Sequence, residues 1–202
     1  GAHHDVVTYN QGLIISGGAG ADTLVGGLGN DTIVSVGGND VIVLGAGGND
    51  VVDTGSAGSG GINFNSTIVG AGAGDTLVVH HGDDISGAVD TAGMDLVVSE
   101  SHVYMTAAQH EGFADIIDGD TSTVDEITLT TAGLVNADAD IEVYDLSSAG
   151  DNTIYGANVS QTINGGSSAD LIVGGSDADL LIGGSGDDVL SSGGSGGMYS
   201  SS

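Results

Sequence analysis

Lysine and arginine are missing altogether from these 202 residues, and so are cysteine, proline and tryptophan. Without a fixed cation the chain has nothing with which to clamp phosphates, which argues against nucleic-acid binding. An anionic membrane surface would repel it. Without cysteine there is no disulfide, no thiolate chemistry and no Cys-ligated zinc. No run of 18 apolar residues exists, so no segment reads as a membrane-spanning helix and membrane insertion is not expected. What remains is 28 acidic side chains, six histidines and a formal charge of −28. Such charge, with 39 glycines, ordinarily means disorder. Yet 39% of the residues are apolar and rich in Val, Ile and Leu, so the chain has a core to bury. No basic side chain can offset its acids, and an external cation is the expected remedy. The start at Gly1 reads as a processed or cut end.

Nine-residue repeats organise what is there. The first block runs GGAGADTLV (17–25), GGLGNDTIV (26–34), SVGGNDVIV (35–43) and, after one extra residue at Leu44, GAGGNDVVD (45–53). The second runs SSAGDNTIY (147–155), GANVSQTIN (156–164), GGSSADLIV (165–173), GGSDADLLI (174–182) and GGSGDDVLS (183–191). A lone copy, GAGAGDTLV, occupies 70–78. Position six is Asp22, Asp31, Asp40, Asp50, Asp75, Asp170, Asp179 and Asp188, and only Asn152 and Gln161 depart from it. Position eight is always apolar: Leu24, Ile33, Ile42, Val52, Leu77, Ile154, Ile163, Ile172, Leu181 and Leu190. Gly and small residues fill most of the first five positions. Each copy therefore predicts a tight turn and a three-residue strand, with position eight facing one way and positions seven and nine the other.

A three-residue strand cannot bury its apolar residue alone, but stacked copies can. Two copies make one flattened coil, and successive coils pair as parallel strands about 4.8 Å apart. The stack places Asp22 over Asp40, Asp31 over Asp50 and Asp170 over Asp188. Two carboxylates about 5 Å apart repel by about 3 kcal/mol at an effective dielectric near 20. Calcium resolves the conflict, because it takes six to eight oxygens in flexible geometry, and paired aspartates with turn carbonyls offer such a shell. Zinc would want His or Cys, which these turns lack.

The copies GGAGADTLV, GGLGNDTIV and GGSGDDVLS are similar to the repeats-in-toxin (RTX) nonapeptide GGxGxDxUx. The resemblance implies an all-β, right-handed parallel β-roll with several Ca²⁺ ions held between Gly/Asp-rich turns. The carboxylates would come from the eight position-six aspartates. Main-chain carbonyls would come from Gly17, Ala19, Gly26, Leu28, Gly165, Ser167, Gly174, Ser176 and Gly183. It further implies type I export from a Gram-negative bacterium and folding in the calcium-rich exterior. It covers 17–53 and 165–191. In the last loop Gly197 stands where an Asp would complete a site over Asp179.

Between the blocks the pattern loosens. Residues 54–146 carry a Gly/Ser-rich turn, then short strand-like runs: DTLVVHH, MDLVVSES, DEITLTT and IEVYDLSS. They resemble the degenerate rungs of bacterial surface-layer and large secreted calcium-binding proteins. One helical turn is expected after Met105, capped by Thr106 with Gln109 at the capping-box position and stopped at Gly112. The whole chain is thus read as one continuous β-solenoid, 1–202. Residues 1–16 are an N-terminal strand segment, 17–53 RTX repeats, 54–146 irregular rungs, and 147–202 RTX repeats with a Gly/Ser tail. His80 and His81 read as a solvated turn or a metal site. His102 and His110 flank the helical turn, and the HEG at 110–112 lacks the second His of HExxH. No G-x-S-x-G occurs. Acid pairs such as Asp83/Asp84 and Asp138/Asp140 arise readily by chance in so acidic a chain. His3 and His4 read as a processing remnant or tag scar.

Apolar residues at the outward positions suggest faces covered by the middle segment or by another subunit. They are Val25, Val34, Val43, Val78, Val173 and Ile182 at position nine, and Val41, Val51, Leu171, Leu180 and Val189 at position seven. No cap is evident at either end, which also fits a piece of a longer protein. The expected function is an extracellular, non-enzymatic structural protein of a bacterial surface. It would fold on calcium and assemble with itself into a filament, surface layer or matrix, with cell-surface polysaccharide as a further partner. The alternative is a calcium-folded RTX module of a larger type I-secreted hydrolase, toxin or adhesin. An ice-binding region would need a Thr stripe in the turns, and position three (Ala19, Leu28, Gly37, Gly47) provides none.

Overall fold

Nine-residue spacing with one inward residue per strand dictates parallel ladders, and a computed structural model shows them. The structure describes residues 4–6, 11–55, 62–99, 102–120, 124–146, 150–194 and 198–201. His3, most of the Gly/Ser-rich turn and Gly197 lie outside the described residues. The chain divides into two compact units, Gly1–Val103 with Gly112–Thr121 and Tyr104–Glu111 with Ser122–Ser202. Each is a parallel β-solenoid.

In the first unit one ladder stacks strands His4–Val6, Thr23–Gly27, Val41–Gly45 and Thr67–Val69. The opposite ladder stacks Ile14–Ser16, Thr32–Val34, Val51–Asp53, Thr76–Val79, Asp95–Val98 and Asp115–Asp118. The register joins position eight to position eight: Leu24 to Ile42 to Ile68, and Ile33 to Val52 to Leu77 to Leu96 to Ile116. The irregular rungs at 95–98 and 115–118 therefore continue the same two-faced pattern without the repeat's Gly-rich turn. The extra Leu44 is accommodated as a second inward residue of a longer strand and is itself buried.

In the second unit one ladder holds Glu126–Leu129, Val143–Asp145, Thr162–Asn164, Leu180–Gly184 and Met198–Ser201. The other holds Leu134–Asn136, Thr153–Tyr155, Leu171–Val173 and Val189–Ser191. Tyr144 takes the inward place between Ile127 and Ile163. The helical turn spans Ala107–His110, with the Thr106–Gln109 capping box formed and Glu111, not Gly112, at the C-cap.

Position eight fills both cores. Ile33, Ile42, Val52, Leu77, Ile154, Ile163, Ile172 and Leu181 are fully buried, while Leu190 is half-buried. Of the outward positions Val41, Leu180 and Val189 are exposed, at 41%, 37% and 59%, while Val25, Val34, Val43, Val51, Val78, Leu171, Val173 and Ile182 are half-buried.

Candidate metal centre

A strand that begins at position seven leaves the N–H of position six outside the ladder. The structure shows what satisfies it. In the first unit the Leu13 N–H donates to Asp31 Oδ1 at 2.8 Å, Asp31 to Asp50 at 2.8 Å and Asp50 to Asp75 at 2.9 Å. On the other side of the coil Asp22 donates to Asp40 at 2.9 Å, and Asp40 to the Ser66 hydroxyl at 3.2 Å. In the second unit Asn152 donates to Asp170 at 2.8 Å, Asp170 to Asp188 at 3.0 Å and Gln161 to Asp179 at 3.1 Å. The sequence assigned these carboxylates to a cation alone. In the fold, among the described residues, seven of them, all but Asp22, spend Oδ1 on the preceding coil's N–H, which offsets part of the stacked repulsion.

The second oxygen, Oδ2, separates the coils into two kinds. Asp31 Oδ2 accepts the Gly27 N–H at 2.6 Å, Asp75 Oδ2 the Gly72 N–H at 3.0 Å and Asp40 Oδ2 the Ser35 hydroxyl. The Oδ2 atoms of Asp22, Asp170 and Asp179 are buried and accept no hydrogen bond. Burying an ionised oxygen unpaired is costly, so these three mark where positive charge is needed.

Three of the expected donor residues, Gly17, Gly165 and Gly174, sit beside them. Gly17, Gly26, Gly165, Gly174 and Gly183 lie against the Oδ2 atoms of Asp22, Asp31, Asp170, Asp179 and Asp188, where a Cβ would crowd the carboxylate. The Gly174 and Ser176 carbonyl oxygens point at Gly193 and Gly194 of the next turn, and the Gly183 oxygen at Gly165. Ala19, Leu28 and Ser167 occupy exposed turn positions. Among the described residues no three His, Asp or Glu side chains converge. A cation here would draw on backbone carbonyls together with paired aspartates. This all-oxygen donor set fits calcium.

Four polar position-six residues escaped the sequence reading: Ser66, Asp83, Glu142 and buried Asp125, two residues before Ile127. Asp83 is fully buried; Oδ1 accepts the Ile62 N–H at 2.8 Å, and Oδ2 accepts the His80 N–H at 2.9 Å and the Thr54 hydroxyl at 2.5 Å. Ser66 receives Asp40, and Glu142 Oε2 accepts the Asp125 N–H at 2.9 Å. The signal was an acceptor two residues before a buried apolar one, as in Asp83-x-Ile85 and Glu142-x-Tyr144, without the Gly turn.

The histidines are part of the scaffold. His80 Nε2 meets Asp53 Oδ1 at 2.9 Å, and the His81 and His102 rings pack edge-on at 6.5 Å. His110 is buried with Nε2 3.0 Å from Tyr144 Oη and Nδ1 3.3 Å from Glu111 Oε1. Burial pushes the His110 pKa down against the pull of Glu111, which favours the neutral ring. Glu111 also accepts the N–H and the side-chain amide of Asn136.

Two carboxyls are pushed above their ordinary range. For Asp50 the cause is burial, opposed by the Asp31 N–H and reinforced by the charges of Asp75 and Asp31. For Glu126 it is burial, then a hydrogen bond shared with Asp145 and the charge of that partner. A raised folded-state pKa means protons bind the folded chain more tightly. The stabilisation is complete below the unfolded pKa and lost as pH rises through the folded one. Denaturation of the 124–164 coils in chelator, followed by hydrogen exchange, is therefore expected to give a higher midpoint near pH 5 than at pH 7 through Glu126. Glu126→Gln should raise the pH 7 midpoint by about half a kcal/mol for this part-exposed pair and flatten the pH dependence. A midpoint that falls steadily from pH 7 to 5 would contradict the Glu126 assignment.

A sequence model described as the RTX calcium-binding nonapeptide repeat, in four copies, matches residues 14–42 and 160–196, together a third of the chain. No curated protein and no solved structure matches the chain.

Proposed function

We propose, from the premise that this chain carries RTX calcium-binding nonapeptide repeats in two blocks, that it is a secreted structural protein of a bacterial cell surface. It folds on calcium and then associates with itself into a filament, layer or matrix. The observation that supports calcium-coupled folding is the set of buried, unpaired Oδ2 atoms of Asp22, Asp170 and Asp179 in a chain without one basic side chain. Metal binding is then folding energy, because the unfolded chain has no site.

Self-association is supported by a face of the second unit. Leu134, Thr153, Tyr155, Leu171, Val173 and Val189 point outward from one ladder, and no acid stands among the outward residues of its strands. An uncharged apolar stripe on a polyanion is a surface suited to burial, and bound calcium lowers the repulsion that keeps copies apart. Cell-surface polysaccharide is the further partner of this reading, and no catalytic role is assigned.

Circular dichroism during a calcium titration, followed by sedimentation velocity in millimolar calcium, tests the proposal. β signal should rise with calcium, and large species should follow. Tyr155→Asp with Val189→Asp should keep the rise in β signal and lose the large species. A β signal unchanged between chelator and calcium would overturn calcium-coupled folding. A wild-type chain that stays monomeric in calcium would overturn self-assembly and favour a calcium-folded module of a larger secreted hydrolase, toxin or adhesin.

A further inference from the structure

Where the nonapeptide loses its aspartate, the space beside the turn carbonyls is filled by the protein itself. Gln161 occupies position six and is 3% exposed. Its Nε2 donates to the Asp138 carbonyl at 2.7 Å and to the Ile141 carbonyl at 2.8 Å. Its Oε1 accepts the Ala157 N–H at 2.8 Å, the bond Asp31 Oδ2 makes with Gly27 four residues before it. Every polar group of this side chain is thus satisfied without a metal. Asn152, one position six earlier, donates from Nδ2 to the Gly150 carbonyl at 3.1 Å and to Asp170 Oδ1 at 2.8 Å. The clasp is anchored further. Asp138, whose carbonyl takes Gln161, gives its N–H to Tyr144 Oη at 2.8 Å, and Tyr144 meets buried His110. One coil later, at the same register, Asp170 and Asp179 hold buried oxygens that accept nothing.

We propose that the Gln161 side-chain amide, donating to the Asp138 and Ile141 carbonyls, stands in the cation's place, so that the 124–164 coils hold together without calcium while the 165–191 coils depend on it. The inference rests on the calcium reading above. Its physical basis is charge sign. An amide N–H₂ presents partial positive charge to two carbonyl oxygens, whereas a carboxylate there would present negative charge and require a cation between them. Residues 124–164 then form a preformed platform, and calcium adds the later coils to it.

Hydrogen exchange on the full chain, in chelator and in millimolar calcium, tests this. In chelator the amides of Val143, Thr153 and Thr162 should stay protected, while those of Leu180 and Val189 should exchange at least about tenfold faster than in calcium. Gln161→Glu replaces the donating nitrogen by an oxygen at nearly constant shape. It should strip protection from Val143 and Thr162 in chelator, and calcium should restore it. Uniform loss of protection across 124–191 in the wild type would overturn the clasp and leave the calcium reading intact. Uniform retention in chelator would overturn the calcium reading and the partition with it. A Gln161→Glu chain that exchanges like wild type in chelator would overturn the role of the amide.

Discussion

Gly38→Ala will cost about 3 kcal/mol or more in calcium, and its neighbour Gly37→Ala about 1 kcal/mol. Both glycines have positive φ, +120° at Gly38 and +74° at Gly37, so both substitutions carry the backbone penalty. What separates them is the space a methyl group meets. At Gly37 nothing lies within 4 Å. At Gly38 the added carbon would fall on the Gly20 carbonyl oxygen of the preceding coil, well inside van der Waals contact. That oxygen belongs to backbone fixed by the parallel ladder, so relief requires the coils to separate. Separation breaks the Asp22–Asp40 bond as well. Urea midpoints of the two variants in saturating calcium measure the difference, and equal midpoints would show that the coils are not held at this spacing.

Asp83→Ala will destabilise the first unit by about 3 kcal/mol or more, and added calcium will not recover the loss. The substitution orphans the Ile62 and His80 N–H groups and leaves the Thr54 hydroxyl only its longer bond to the Val78 carbonyl at 3.3 Å. Each unsatisfied buried donor costs about 1–3 kcal/mol. Asp179→Ala behaves differently. It orphans a single N–H, that of Gln161, and removes an oxygen that accepts nothing, so its main effect is a higher calcium midpoint. Thermal melts of both variants across a calcium series distinguish the two behaviours. Full rescue of Asp83→Ala by calcium would place a cation where the structure places three protein donors.

The contrast between these aspartates shows how far the sequence could be read. Period and face were legible because position eight alternates with polar turns at constant spacing. Ile33, Ile42, Ile163 and Ile172 are buried for that reason alone. The capping box at Thr106 and Gln109 was legible because it is local. Asp83 and Glu142 were not, because their turns lack the glycines that mark the repeat, and only the acceptor-x-apolar step survives. The contacts His80–Asp53 and His110–Tyr144 join residues 27 and 34 apart. No local pattern encodes such partners, which meet only after the irregular rungs have stacked. Gln161 was legible as a departure from the repeat. Its two carbonyl partners, 20 and 23 residues earlier, were not.

Among the described residues the position-six backbone N–H groups donate one way: the donor sits in the earlier coil and the acceptor side chain in the later one. Time therefore enters the architecture. A coil that leaves the ribosome or a pore before its successor carries a bare N–H at the start of its strand, and the side chain that would quiet it is still inside. In each coil that N–H is quieted only once a later coil supplies its acceptor.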